Sequence, residues 1–461
     1  MSELSIALNR FGLGARPDDQ VSDARAWLAG QLASYDPHPS ALARLAGTPA
    51  IVNDLAGYQA RLREAKLDRT ENAGAQDSPA MVLRRDARRA LRTHYVEAVD
   101  ARIAAALTTS TPFLERLVHF WANHFAVSAT KVSVTPLSGA FEAEAIRPHV
   151  MGRFADLLRA AEQHPAMLQY LDQAQSVGVG SRLAQRRGGL ARRRGLNENL
   201  AREILELHTL GVDGGYTQAD VTELARALTG WSVAGLTRRP EATPGWRFIP
   251  AMHEPGARTI LGRHYPEGGE EQGVAVLDAL AQHPATARHL ATKLTRHFAG
   301  DTPPPAMVAR LEKAFLDSGG DLPTVYRAII ASPEAWAAGP LKFRTPWEWV
   351  LAALRATGAQ TVPPGSGPGL TMQLGQPAWK PGQPNGFDDI AASWAGSDAI
   401  MRRVRAAERI AQRSPAVDAP ALAERLFPDM VSTATAQAVK SAESRGQALA
   451  LLLVAPEMMR R

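Results

Sequence analysis

The chain has 461 residues, 45% hydrophobic and 21% charged, so it is long enough to bury a large core and too apolar to stay disordered. It contains no cysteine, which excludes disulfides, thiolate metal sites and cysteine nucleophiles. The formal charge is +6, yet residues 181–194 (SRLAQRRGGLARRR) alone carry six arginines and no acid; the other 46 basic residues match the 46 acidic ones, so the excess is local.

Hydrophobic spacing predicts helix almost throughout. Residues 2–9 read as a short helix stopped by Gly12 and Gly14, and Pro17 opens an amphipathic helix to about residue 32. Helices follow over 41–45 and 49–66, then a polar, aperiodic loop over 68–78 and a long helix over 79–107. Pro112 sits at the first position of the next helix, FLERLVHFWANHF, where its missing N–H is no loss. Residues 131–136 are extended at most, and helices are expected over 139–146, 153–163 and 165–171. Two more span 198–210 and 218–229; Gly211 ends the first, and Thr217 with Asp220 forms a capping box for the second.

Residues 246–262 alone alternate like a strand and predict one small β-hairpin. Helical spacing resumes from Glu271 and continues over 285–298, 305–316, 322–331 and 346–356. Residues 361–388, rich in Gly, Pro and Gln, are too long for an ordinary connection and are expected to line or cover a site. Helices over 397–413, 421–426 and 433–454 close the chain. The expected fold is all-α, a compact multi-helix assembly with one small β-hairpin and a long Gly/Pro-rich loop. It forms a single large helical domain, with sub-regions 1–231, 232–268 and 269–461. No run reaches the ~18 apolar residues of a membrane span. The opening stretch lacks the form of a signal peptide, so the expected compartment is the cytoplasm, or the periplasm if the chain is exported with a partner.

Polar chemistry concentrates in NENLAREILELHTLGVDGGYTQADV (residues 197–221). At about 100° per residue, Leu200, Ile204 and Leu207 form a buried stripe, with Glu203 on one margin and His208 on the other. Such a carboxylate needs a partner, because unpaired burial costs several kcal/mol. One outcome is structural: a Glu203 to arginine ion pair and a His208 held by a carbonyl. The other is a shared acid/base or metal site. The spacing contains neither His-Glu-x-x-His nor a di-iron Glu-x-x-His, so a divalent metal would need ligands from separate segments. His119 and Asn123 share a helix face, with His124 offset from it; His253, followed by Glu254, is a further candidate. No phosphate-binding glycine loop and no Gly-x-Ser-x-Gly elbow occurs.

LNRFGLGARP at residues 8–17, FWANHF at 120–125, LNENLAREILELHTLGVDGGYTQADV at 196–221, ALTGW at 227–231 and HEPGARTILG from His253 together resemble the bacterial domain of unknown function 1800 family across nearly the whole chain. The resemblance implies no established activity. It implies frequent export and frequent pairing with a sulfatase-like protein, and it departs at His253-Glu254, where the family pattern commonly reads His-Asp. His124, Glu203, His208 and His253 fall in its motifs, and their convergence on one pocket is the expectation.

Three functional classes follow. The first is a hydrolytic enzyme, metal-assisted or not, with Glu203, His208, His124 and His253 as catalytic residues. Arg192, Arg193, Arg194 and Asn199 would then bind an anionic small molecule or polymer. The second is a non-catalytic partner or scaffold for the sulfatase-like protein. The third, nucleic-acid binding by residues 181–194, is weakened by balanced charge elsewhere and by the lack of interleaved aromatics.

Overall fold

Polar caps and prolines set where the helices begin. In the computed structural model, which describes residues 2–71, 79–186, 195–236, 244–339, 342–414 and 417–461, the side chains of Asp23, Thr217, Asp321, Thr345 and Ser444 accept first-turn N–H groups. Pro112, Pro284 and Pro346 each occupy a first helical position. The described residues form 22 α-helices and two two-stranded antiparallel sheets, so the chain is all-α. Among them no helix is long and apolar enough to cross a membrane.

Pro79–Thr108, Pro112–His124, Pro346–Ala356 and Ser397–Arg413 match the sequence expectation closely. The departures have local causes. The helix expected from Pro17 begins only at Ala24, because Asp23 caps it. The last expected helix breaks into Thr433–Lys440 and Arg445–Leu453, the second capped by Ser444. Thr48–Glu71 continues into the stretch expected as a loop from residue 68; residues 72–78 lie outside the described ones.

The single hairpin expected over 246–262 is corrected to two small sheets. Gly245–Phe248 pairs back to Trp231–Ala234, and Arg258–Ile260 pairs forward to Arg263–Tyr265. Alternation identifies strands but not their partners. The second reversal falls at Leu261 and Gly262, both left-handed (φ 52° and 73°), as a two-residue hairpin turn requires. The boundary expected at residue 231 therefore falls at the edge of a strand.

Two hydrophobic clusters fill the interior, and neither follows the expected sub-regions. One gathers Phe11, Phe113, Trp121, Ile204, Leu277, Phe298 and Tyr326. The other joins Leu8, Leu13, Val99 and Ile103 to Trp349, Leu351 and Leu452. The N-terminal segment thus contributes to both, through a π-helix, Ala7–Phe11. Buried polar groups hold it there: Asn9 donates to the Leu426 carbonyl at 3.0 Å and accepts from Arg344 at 2.9 Å. Arg116 donates to the Gly12 carbonyl at 2.8 and 2.7 Å, and Arg355 to that of Gly14 at 2.8 Å. Gly14, at φ 105°, has no room for a side chain, since a Cβ would lie 2.7 Å from that of Ala352.

Arg116 and Arg461 share the buried carboxylate of Glu348, with Arg461 Nη2 at 2.8 Å. Burial alone would raise this carboxyl; Arg461 and then Arg116 hold it well below the usual range. Glu348→Gln keeps an oxygen for the Thr345 cap but leaves both guanidinium groups without their counter-charge. A loss of about 3–5 kcal/mol in urea unfolding is expected; a loss below ~1 kcal/mol would show that this tie is dispensable.

Candidate functional site

The helix expected over 198–210 runs as Asn199–Glu203 and then as a π-helix, Ile204–His208. The wider π turn shifts the inward face, so Ile204, Leu205 and His208 are buried while Leu207 is half-exposed. A regular 100° wheel, which centres Leu207, fails at this point. His208 Nδ1 lies 2.7 Å from Glu162 Oε1, with both side chains interior, at an angle that is not that of a hydrogen bond. Glu203 is half-buried and makes no ion pair among the described residues. Burial raises its carboxyl, His208 opposes this, and Glu206 and Glu162 add to it. The expected arginine pair is not seen among the described residues; the neighbouring Arg202 contacts Glu198 and Glu206.

The end of the π-helix frees carbonyls that would otherwise be paired within it. The Leu207 carbonyl meets His289 Nε2 at 3.2 Å, and the His208 carbonyl meets His124 Nε2 at 3.1 Å. Carbonyls only accept, so both Nε2 atoms carry hydrogen. His124 Nδ1 is therefore bare and accepts from Lys293 Nζ at 2.9 Å. Gly211, at φ 87°, lets the chain turn against His289, whose Nδ1 would lie 2.9 Å from a Cβ at this position. The 197–221 motif thus acts on the neighbouring helices largely through its main chain.

Lys293 opens onto a cavity of about 470 Å³, well within the ~300–1,000 Å³ of small-molecule sites. Pro112–His124 contributes Arg116, His119, Asn123 and His124; Pro284–Ala299 contributes Lys293, Arg296 and His297. The Gly/Pro-rich loop supplies Ala378, Trp379, Asn385 and Phe387, so it lines the site as expected. It also contains a helix, Gly367–Gln373, that its composition does not announce.

This loop is a fixed wall. The Asn123 amide donates to the Phe387 carbonyl and accepts its N–H, both at 2.8 Å, while the Trp379 carbonyl accepts from the Ala129 N–H at 2.7 Å. Gly386, at φ 80°, packs where a Cβ would lie 2.3 Å from the Asn123 carbonyl oxygen. Trp379 is itself left-handed at φ 49°, an uncommon state for a bulky residue, and its indole donates to Glu142 at 3.1 Å.

His297 is the most chemically poised group in the cavity. Its Nδ1 lies 2.8 Å from Asp389 Oδ2, while its buried Nε2 has no partner. An ionised carboxylate accepts, so the ring hydrogen belongs on Nδ1 and Nε2 presents a lone pair. Burial lowers this imidazole to about 4, against the pull of Asp389. Burial raises the Asp389 carboxyl too, but His297 and then Lys342, 3.2 Å from Oδ1, bring it below its usual value. Lys293 is brought down to about 8 by burial, with Asp389 opposing and Arg296 adding.

Of the sequence candidates, His124 lines this cavity, His208 touches it only through the carbonyl that meets His124, and Glu203 is not among its lining residues. His253 lines a separate cavity of about 350 Å³ with Arg182, Phe248 and Glu267, its Nδ1 2.9 Å from the Thr229 carbonyl. Asn199 is exposed and lines neither. Arg192, Arg193 and Arg194 lie outside the described residues. Among the described residues no three His, Asp or Glu side chains gather as a metal-binding set. Sequence reasoning passed over Lys293, Arg296, His297 and Asp389. The signal was available in part, because His289, Lys293, Arg296 and His297 recur at helical spacing on one face.

Residues 6–460 match a family described as "Protein of unknown function (DUF1800)". No curated protein and no solved structure matches the chain.

Asn123→Ala removes both hydrogen bonds to the loop. A loss of about 1–3 kcal/mol is expected, with faster hydrogen exchange at the Phe387 amide; unchanged exchange there would show that Asn123 does not hold the wall.

Proposed function

Because the chain belongs to the DUF1800 family, described only as proteins of unknown function, its activity has to be read from the cavity, and we propose that it is a hydrolytic enzyme acting on an anionic substrate with His297 as general base. One observation carries this reading: His297 lines a cavity of substrate size and is fixed at Nδ1 by Asp389, which leaves its buried Nε2 bare. A water reaching Nε2 gives up its proton as it attacks, Asp389 stabilises the imidazolium that forms, and this imidazolium returns the proton to the leaving oxygen as its ester bond breaks. Arg296 and Lys293, on the same helix face, attract the substrate's negative charge and the charge that develops on the attacked group.

In this reading the base is His297 rather than Glu203. His124 orients Lys293, and His208 holds His124 through its carbonyl. Hydrolysis needs only water beside the substrate, and these residues supply the base, its orienting carboxylate and a cationic wall. A histidine fixed by a carboxylate on the wall of a substrate-sized cavity has no use in a passive partner of a sulfatase-like protein, which favours the enzyme over the scaffold.

The test is a panel of chromogenic carboxyl, phosphate and sulfate esters. For the ester turned over, His297→Asn is expected to lower kcat/KM by roughly 10²–10⁴ while the melting curve stays near that of the parent protein; unchanged turnover would remove His297 from the mechanism. The base must be neutral and Lys293 charged. kcat/KM should therefore rise with pH through about 4 and fall above about 8. A profile still rising above pH 8 would contradict these assignments.

A further inference from the structure

We propose that Lys293 is also a carbonyl-reactive amine, forming a reversible imine with small aldehydes or 2-oxo acids whose carboxylate rests on Arg296. This goes beyond the hydrolytic reading, because imine formation requires neither His297 nor Asp389.

Lys293 differs in what meets its nitrogen from Lys131, Lys313 and Lys342, each of which has a carboxylate within 2.9 Å, and from Lys380, whose nitrogen lies over the Tyr95 ring. Among the described residues no carboxylate lies within ion-pair distance of Lys293; its hydrogen-bond partner is the bare Nδ1 of His124. One amine hydrogen is thus committed to His124, and Lys293 lines the cavity. Arg296 follows three residues later on the same face and makes no hydrogen bond or ion pair among the described residues. A carboxylate on that guanidinium would bring an adjacent carbonyl carbon toward Nζ.

The surroundings favour the neutral amine. Burial opposes the charge most, Arg296 adds repulsion, and Asp389 only partly offsets them, leaving Lys293 at about 8. At pH 7 its neutral fraction is then roughly 300-fold that of an ordinary lysine. A desolvated lysine beside a second cation is a recognised route to imine chemistry. In the step itself the Nζ lone pair attacks the carbonyl carbon and the C=O π pair moves to oxygen. Both amine hydrogens then leave with that oxygen as water while C=N forms. His124 Nδ1, which already accepts one of those hydrogens, is placed to carry it across.

The test incubates the whole protein with glyoxylate and cyanoborohydride at pH 7 and maps the reduced adduct by peptide mass spectrometry. Adduct at Lys293 should accumulate more than about tenfold faster than at the exposed Lys313 or Lys440. Labelling that follows exposure and leaves Lys293 unmodified would overturn the proposal, and this comparison needs no variant. Arg296→Gln should slow labelling by glyoxylate about tenfold more than labelling by acetaldehyde, which loses only the repulsion that favours the neutral amine; equal effects on both would refute the carboxylate seat. His297→Asn should lower hydrolysis as above and keep the adduct, so the two proposals fail separately.

Discussion

The carboxylate of Glu348 is the point on which the architecture turns. Arg116, which it binds, donates to the Gly12 carbonyl and so seats the N-terminal segment between the two hydrophobic clusters. Arg461, its other partner, donates to the His297 carbonyl at 2.9 Å. Glu348 itself completes the capping box of Pro346–Ala356 and lines the cavity. A buried ion pair is weak evidence for net stability, since desolvation offsets much of its attraction. Its effect here is geometric: one charge fixes the register of the N-terminal segment, the helix carrying Lys293 to His297, and the cap beneath the site.

The same logic of main-chain groups aimed by irregular backbone builds the cavity. The π-helix ending at His208 turns two carbonyls outward, and these set the tautomers of His124 and His289. His124 then holds Lys293, so a motif rich in acids and imidazole reaches the cavity through backbone oxygen rather than through its own titratable groups. The loop opposite is fixed in a comparable way. Asn123 imitates a strand edge with its amide, and Gly386 and Trp379 adopt left-handed conformations that a regular element would not tolerate. Hydrogen bonds thus tie the imidazole, the amine and the facing loop to one set of walls.

The fold was largely legible in the sequence, because helix periodicity, Pro112 and the Thr217 to Asp220 box are local signals that the packing does not override. The loop over 361–388 announced its role by its length and composition. What could not be read was pairing at a distance. Asp389 lies 92 positions from His297, and nothing in either segment names the other. The inward turn of His208 depends on a π-helix that a fixed angular period does not anticipate. The hairpin error has the same origin, since alternation specifies a pleat and leaves its partner open.

The measurement closest to the heart of this assignment is ¹⁵N NMR of the His297 ring in the intact protein. Hydrogen on Nδ1, a bare Nε2 and titration near 4 are predicted. Hydrogen on Nε2, or titration close to the ordinary value of about 6.5, would contradict His297 as a base held ready by Asp389.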